Sequence, residues 1–323
     1  MTYEVPKFDL GRISEIFKNY YGLSGEFTSM VSFEDQNVMI KSERGKFLLK
    51  IANKAWSKNF ISMQTDVLIH LRKQAPHLTL PSVIKSHNGD NMIEVDGFTM
   101  RLLSFLEGDV IAKTTRTTEL YSDIGRFLGD FSKAMEGYDH PGRDGSDPNW
   151  KLDNVIACKK YLPEVVDEDT RDRIARLYDY YEENIVPVLS GLRKAVLHGD
   201  ANEQNFLILP DQPDKIAGLI DFGEMQYGAQ VNELAITLAY CLLNEDDIEM
   251  ASKRMIEGYV ANFPLQPEEM EILYHLAAMR LVTNITMTSH QSKQQPDNDY
   301  ILIAQGPAKI LLKRLEEEKY IMN

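Results

Sequence analysis

Cysteine is nearly absent: Cys158 and Cys241 are the only two among 323 residues, and neither has a second cysteine nearby. That argues against a disulfide framework and against a thiolate zinc site. Positive charge is in deficit as well, with 35 Lys and Arg against 49 Asp and Glu, a formal charge of −14. So acidic a chain binds nucleic acid or anionic membrane poorly, and neither partner is expected. Long apolar runs are missing too. The longest mostly apolar stretch, 234–243, falls well short of the roughly 20 residues a bilayer span needs. The first fifteen residues lack an apolar stretch behind a basic one, so no secretory leader is expected and the cytoplasm is the expected location. No G-x-x-x-x-G-K-[ST], G-x-G-x-x-G or G-x-S-x-G motif occurs. None of the seven histidines has another four residues on, which removes the usual helical zinc pair.

What is there has the composition of an ordinary globular protein, 43% hydrophobic and 26% charged, with chain enough for one large domain or two lobes. The first hundred residues read as strands with two helices inserted. Apolar residues at helical spacing over 8–21 (Leu10, Ile13, Ile16, Phe17, Tyr20) stop at Gly22. Strands are expected over 23–33, 37–41 and 46–51, a helix over 59–73, and further strands over 83–86, 92–95 and 98–103. Beyond Arg101-Leu102-Leu103 the pattern turns helical, with helices expected over 118–135, 169–189, 233–243, 246–262, 267–288 and 300–317. One short β-like insert, 195–198, 206–209 and 216–221, interrupts them. The expected fold class is therefore α+β in two lobes. A small sheet lobe spans 1–103, a hinge 104–108 and a larger helical lobe 109–323.

The β-like insert carries the chemistry. It reads Val196-Leu-His-Gly-Asp200-Ala-Asn-Glu-Gln-Asn205-Phe-Leu-Ile, then Gly218-Leu-Ile-Asp221-Phe222-Gly223. Apolar flanks bury the strands and leave Asp200, Asn205 and Asp221 projecting at one mouth. Phosphoryl transfer needs this set of groups: one carboxylate to accept the acceptor hydroxyl's proton, and an amide oxygen with a second carboxylate to hold magnesium on the phosphates. Each residue alone is an ordinary loop or cap residue; together, at this spacing, they point to that chemistry.

The pattern His-Gly-Asp-x-x-x-x-Asn followed by Ile-Asp-Phe-Gly resembles the aminoglycoside phosphotransferase family, a branch of the protein-kinase-like fold. Ser32–Asn37, Phe47–Ile51, Arg101–Gly108, Glu233–Tyr240 and Ala278–Arg280 are similar to its hydroxylysine-kinase branch, so the likeness runs from about Phe27 to Leu315. The resemblance implies a kinase that takes ATP or GTP with Mg2+. In it Asp200 would be the catalytic base, Asn205 and Asp221 the metal ligands, and Lys50 the contact to the α- and β-phosphates. Ser104, Phe105 and Leu106 would offer backbone groups to the nucleotide base. The N-terminal lobe would bind nucleotide and the helical lobe would carry the catalytic loop and acceptor site. The implied acceptor is a small cationic or zwitterionic molecule, a hydroxylysine-like amino alcohol ahead of an aminoglycoside, choline, ethanolamine or homoserine. A nucleotide-binding scaffold without kinase activity is the alternative of another class.

Two departures from that pattern stand out. The phosphate-covering stretch 30–37 contains no glycine, so its backbone cannot approach phosphates closely, and Ser29, Ser32 or Gln36 side chains would do part of that work. Ser62 stands where kinases keep a helix glutamate for the strand lysine, leaving Asp66, or Gln64 through water, as substitutes. Lys50 also has a plainer reading as a solvated lysine on a sheet edge. His198 is expected to brace the loop rather than to react. Glu233 either favours the dipole of the helix it opens or anchors the catalytic loop, and the two are compatible. For the acceptor, Glu203, Glu224, Gln226, Tyr227, Trp150 and Arg280 are the candidates, with Glu203 and Glu224 suited to an ammonium. Arg280, in an otherwise apolar helix, either binds a substrate carboxylate or pairs with an internal acid.

Overall fold

The computed structural model describes residues 5–32, 35–296 and 298–322, apart from the side chains of 299 and 300. The chain divides into two compact units. One comprises Met1–Glu107 with His140–Gly145 and Gly218–Ile220; the other comprises Gly108–Asp139, Ser146–Ala217 and Asp221–Asn323.

The first unit begins with α1 (Leu10–Tyr21), opened by the Asp9 carboxylate on the Arg12 N–H and closed by Gly22 at φ 65°. Strands β1 (Gly25–Met30), β2 (Gln36–Ser42) and β3 (Gly45–Ile51) follow, then α2 (Lys58–Gln74), capped by Ser57. The unit closes with β4 (Val83–Ile84), β5 (Ile93–Val95) and β6 (Phe98–Ser104). The strands pair antiparallel in the order β1-β2-β3-β6-β4, with β5 also on β6. Alternation decides the faces. Val38, Ile40, Phe47, Leu49, Ile51, Phe98, Met100 and Leu102 form one core with Ile13, Ile16 and Phe17 of α1. On the other face lie Lys50 and Arg101, directly opposite each other in the β3–β6 register and both buried. Arg101 donates to the Ile61 carbonyl and to the Gln64 side chain, which puts α2 over that face.

The second unit starts with β7 (Asp109–Val110) and α3 (Thr118–Ala134). After a 3-10 stretch, Leu152–Glu164, comes α4 (Glu168–Tyr180), which runs through a π-helical turn at Tyr181–Ile185 into α5 (Val186–Leu189). The expected helix 169–189 thus exists, with its geometry relaxed where Pro187 enters the chain. Four short strands follow: β8 (Lys194–Leu197), β9 (Phe206–Leu209), β10 (Gln212–Leu219) and β11 (Gln226–Ala229). They form two small sheets, β10-β9-β7 and β11-β8; β7 and β11 were not foreseen. Helices α6 (Asn232–Cys241), α7 (Ile248–Asn262), α8 (Pro267–Gln294) and α9 (Gln305–Glu317) complete the unit.

Helix α6 is buried at all ten positions, and α8 is buried along its centre, which suits helices apolar nearly all round. Helices α3 and α7 come together at glycines: a Cβ on Gly125 would lie 2.8 Å from the Tyr259 nitrogen, and one on Gly258 would lie 3.0 Å from the Arg126 nitrogen. The expected helix 300–317 is split into a 3-10 turn at Asp299–Leu302 and α9. Pro307 has no N–H for the Ile303 carbonyl and its ring crowds that carbonyl, so the helix starts afresh beside it. No helix among the described residues is long and apolar enough to cross a membrane.

Candidate active site

The loop between β8 and β9 carries Asp200 and Asn205, and its shape follows from its neighbours. Buried Val196 and Leu197 hold one end and Phe206 to Ile208 the other. Gly199 bends the chain at φ 78°. A Cβ there would lie 2.6 Å from the Gln226 Nε2 and would overlap the Glu224 carbonyl, so only glycine fits between His198 and Asp200. Two residues of α6 anchor the loop from below. The Glu233 carboxylate, with no solvent exposure, accepts the His198 N–H at 2.6 Å and also a hydrogen bond from the Gly199 N–H. The Thr237 hydroxyl donates to the Ala201 carbonyl at 2.8 Å. Burial raises the Glu233 carboxyl to about 7 despite those two donors. Of the two readings of Glu233, the anchor is visible in these bonds.

His198 is fully buried. Its Nδ1 accepts the Asp200 N–H at 3.2 Å, and its ring meets Phe222 edge-on at 4.7 Å. This contact links the His-Gly-Asp loop to the Asp-Phe-Gly turn. Asp221 sits at that turn with φ 61°, exposed, its carboxylate accepting the Gly223 N–H at 3.3 Å.

The Asn205 amide nitrogen donates to both the Asp200 carbonyl (2.8 Å) and its Oδ2 (3.0 Å). The other carboxylate oxygen, Oδ1, faces Nη2 of Arg280 at 3.4 Å. Asp200 therefore has a defined orientation, and its carboxyl is pushed up to about 6: burial leads, Arg280 opposes it and the Asp221 charge adds to it. Glu203, on the same loop, is raised to about 7, chiefly by burial, and its Oε2 is covered without a hydrogen-bond partner.

Arg280 lies at the middle of α8 and is 3% exposed. It donates to the Trp150 carbonyl at 2.9 Å, and its guanidinium lies over the Trp150 and Tyr240 rings at 5.1 and 5.4 Å. Glu224, on the turn after Asp221, is close enough to act electrostatically on it. Asp200, Asn205, Asp221, Glu203, Glu224, Trp150 and Arg280 are thus gathered in one unit, while Tyr227 lies half-buried on β11 opposite Val196. Sequence reasoning missed Tyr240 as a site residue. Its signal was legible: Glu233, Thr237 and Tyr240 fall at i, i+4 and i+7, a polar stripe on an otherwise apolar helix.

In the first unit, two of the expected side chains have partners of their own. The Gln36 amide pairs at both ends with Phe8, accepting its N–H at 2.9 Å and donating to its carbonyl at 2.7 Å. Asp66 is held by the Ser62 hydroxyl at 3.0 Å and by His140 Nε2 at 3.2 Å, not by Lys50. Ser32 is half-buried beside Phe33 and Glu34, which lie outside the described residues. In the connector, Ser104 belongs to β6: its N–H donates to the Ser82 carbonyl and its hydroxyl accepts the Ser82 N–H. The Phe105 N–H donates to the Lys46 carbonyl. Among the described residues, no backbone bond uses the Leu106 N–H.

Comparison with known proteins bears on these groups together. Residues 31–262 match the model of the phosphotransferase enzyme family. The chain is 28% identical to hydroxylysine kinase of Danio rerio over 329 residues, covering 97% of this chain and 92% of that protein. Among solved structures, a microcompartment-associated aminopropanol kinase superposes with TM-score 0.75 at 15% identity, covering 97% of this chain and 99% of that one. An amicoumacin kinase in complex with AMP-PNP and Ca2+ superposes with TM-score 0.72 at 14% identity, covering 96% and 94%. The likeness in fold extends along nearly the whole chain.

Proposed function

The chain belongs to the phosphotransferase enzyme family, and from that premise we propose that it transfers the γ-phosphate of ATP or GTP to a hydroxyl of a small aminated metabolite, with a hydroxylysine-like amino alcohol the favoured acceptor. One observation carries the reading: Asp200 is fixed from three sides, by His198 on its N–H, Asn205 on Oδ2 and Arg280 on Oδ1, close to Asp221. Asp200 is the catalytic base. The acceptor oxygen attacks the γ-phosphorus, the bond to the bridging β–γ oxygen breaks, the hydroxyl proton passes to Asp200, and a nucleoside diphosphate leaves. Holding the attacking oxygen against a fixed carboxylate supplies the positioning on which such a reaction depends.

Asn205 and Asp221 would hold Mg2+. Their donor set fits: an amide and a carboxylate are hard oxygen ligands, and phosphate oxygens and water complete the shell of that ion. Among the described residues no group of three or more His, Cys, Asp and Glu is gathered as a metal site. When bound, Mg2+ supplies charge neutralisation on the β- and γ-phosphates. Lys50 engages the α- and β-phosphates, Leu106 offers its N–H to the base, and Ser32 borders the phosphates. Glu203 and Glu224, with Tyr227, face the acceptor's ammonium.

The test is nucleoside diphosphate release with Mg2+, ATP or GTP, and a panel of amine-bearing alcohols. Stimulation by one acceptor class supports the proposal. Asp200→Asn keeps fold and nucleotide affinity and loses turnover; wild-type turnover in that variant would remove Asp200 from its role.

A further inference from the structure

Arg280 is a buried cation whose hydrogen bonding is incomplete. A guanidinium carries five N–H donors in a rigid fork. Here Nη1 donates to the Trp150 carbonyl, Nη2 reaches Asp200 only at 3.4 Å, and Nε is covered without a partner. A charge taken so far out of water ordinarily has a well-made, often bidentate, carboxylate partner. The single long contact to Asp200 does not meet that need, since the Asp200 Oδ2 is held by Asn205. The fork itself is already oriented: its central carbon lies 5.1 and 5.4 Å from the centres of the Trp150 and Tyr240 rings, the Tyr240 side chain also hydrogen-bonds it, and the peptide carbonyl of Trp150 fixes one end. What the arrangement lacks is a small carboxylate from outside. Glu224, which acts electrostatically on Arg280 from the neighbouring turn, would meet a positive group next to that carboxylate.

We propose that Arg280 is the specificity-determining residue that recognises an α-carboxylate on the acceptor, and that in the resting enzyme the guanidinium leans on Asp200 until the acceptor replaces that contact. The proposal rests on the kinase reading above and narrows it to hydroxy-amino acids, carboxylate on Arg280 and ammonium toward Glu224. It also limits their size. In the resting protein Arg280 Nη2 lies 3.4 Å from Asp200 Oδ1, so the carboxylate and the hydroxyl are engaged at adjacent side chains, which suits a small molecule with the two groups a few bonds apart. Acceptor binding and release of Asp200 then become one event, because the same guanidinium serves both.

The experiment compares 5-hydroxylysine with its carboxamide, which keeps the ammonium groups and the hydroxyl and loses only the anion. Wild-type kcat/KM is expected to be at least roughly 10²-fold higher for the acid, as for a site left with an unpaired buried donor. Arg280→Lys and Arg280→Met bring that ratio to within about threefold of unity, mainly through KM for the acid; thermal unfolding and nucleotide binding verify that each variant is folded. A purely structural role for Arg280 would lower both acceptors alike and leave the ratio standing, which overturns the proposal. Equal use of acid and carboxamide by the wild type, or faster turnover of a carboxylate-free amino alcohol, overturns it while leaving the kinase reading intact. Should neither compound be phosphorylated with ATP or GTP, the acceptor reading fails. Calorimetric binding then decides the inference: selective binding of the acid, lost in Arg280→Met, upholds it, and equal or absent binding ends it.

Discussion

Gly199→Ala is the sharpest mechanical test of the loop that carries Asp200. Two costs add at that position. An alanine at φ 78° costs about 1–2 kcal/mol for the left-handed backbone alone. The new Cβ must also open space against the Glu224 carbonyl and against Gln226 Nε2, 2.6 Å away, and overpacking of this kind adds about 1–3 kcal/mol. Gly137 supplies the control, since it has φ 72° and nothing within 4 Å of an added Cβ. Gly137→Ala therefore carries the first cost and not the second. The difference between the two variants isolates the contact, and thermal melting should place Gly199→Ala roughly 2–5 °C below Gly137→Ala. The neighbour that must yield is the turn bearing Asp221, or else the loop bearing Asp200 must lift off Glu233. Either movement approaches 1 Å, which costs about 10²-fold in kcat, while Gly137→Ala keeps wild-type kcat. Equal melting and equal kcat in the two variants would show that the loop is not packed as described.

Other consequences follow from the same contacts. Glu233, raised to about 7, binds its proton more tightly in the folded chain than in the unfolded one, where glutamate titrates near 4.3. Its contribution to stability is therefore complete below about pH 4.3 and lost as pH rises to about 7, on the order of 3 kcal/mol in all. Urea unfolding at pH 5, 6 and 7 should show a shallower decline in Glu233→Gln, which keeps an acceptor for the His198 N–H; an unchanged slope refutes this. Glu269, fully buried, accepts two hydrogen bonds from Arg193, both at 2.8 Å. Arg193→Ala strands that carboxylate and should cost about 3 kcal/mol in chemical denaturation, Arg193 being partly exposed; a loss below 1 kcal/mol would contradict the pairing. Chelation by EDTA should stop turnover yet leave the melting temperature of the nucleotide-free protein within about 1 °C, on the proposal that the ion enters with nucleotide. A clear drop in melting temperature would reveal a resident metal instead.

The local signals in the chain were sufficient wherever structure depends on near neighbours. Alternation over Val38–Ile40, Phe47–Ile51 and Phe98–Leu102 placed the sheet face, and Gly22 marked a helix end. His198, Gly199, Asp200 and Asn205 were recognisable because a tight loop fixes their spacing within a few residues, and Asp221 because it ends the next apolar run before Phe222-Gly223. Element ends were less legible where a proline acts at a distance of a turn, as Pro307 does to the helix expected from 300.

What only the tertiary structure decided was who partners whom. Gln36 meets Phe8, 28 residues away, at both ends of its amide. Asp66 was open to Lys50 until His140, 74 residues on, reached it. Glu233 meets His198 across 35 residues, and Arg280 meets Asp200 across 80. The sequence by itself determined most of the elements, the spacing of the Asp200–Asn205 motif and the family, since periodicity and turn chemistry act over a few residues. The partners of its polar groups were decided by burial, which forces each charge and amide taken from water to find a complement wherever the fold brings one.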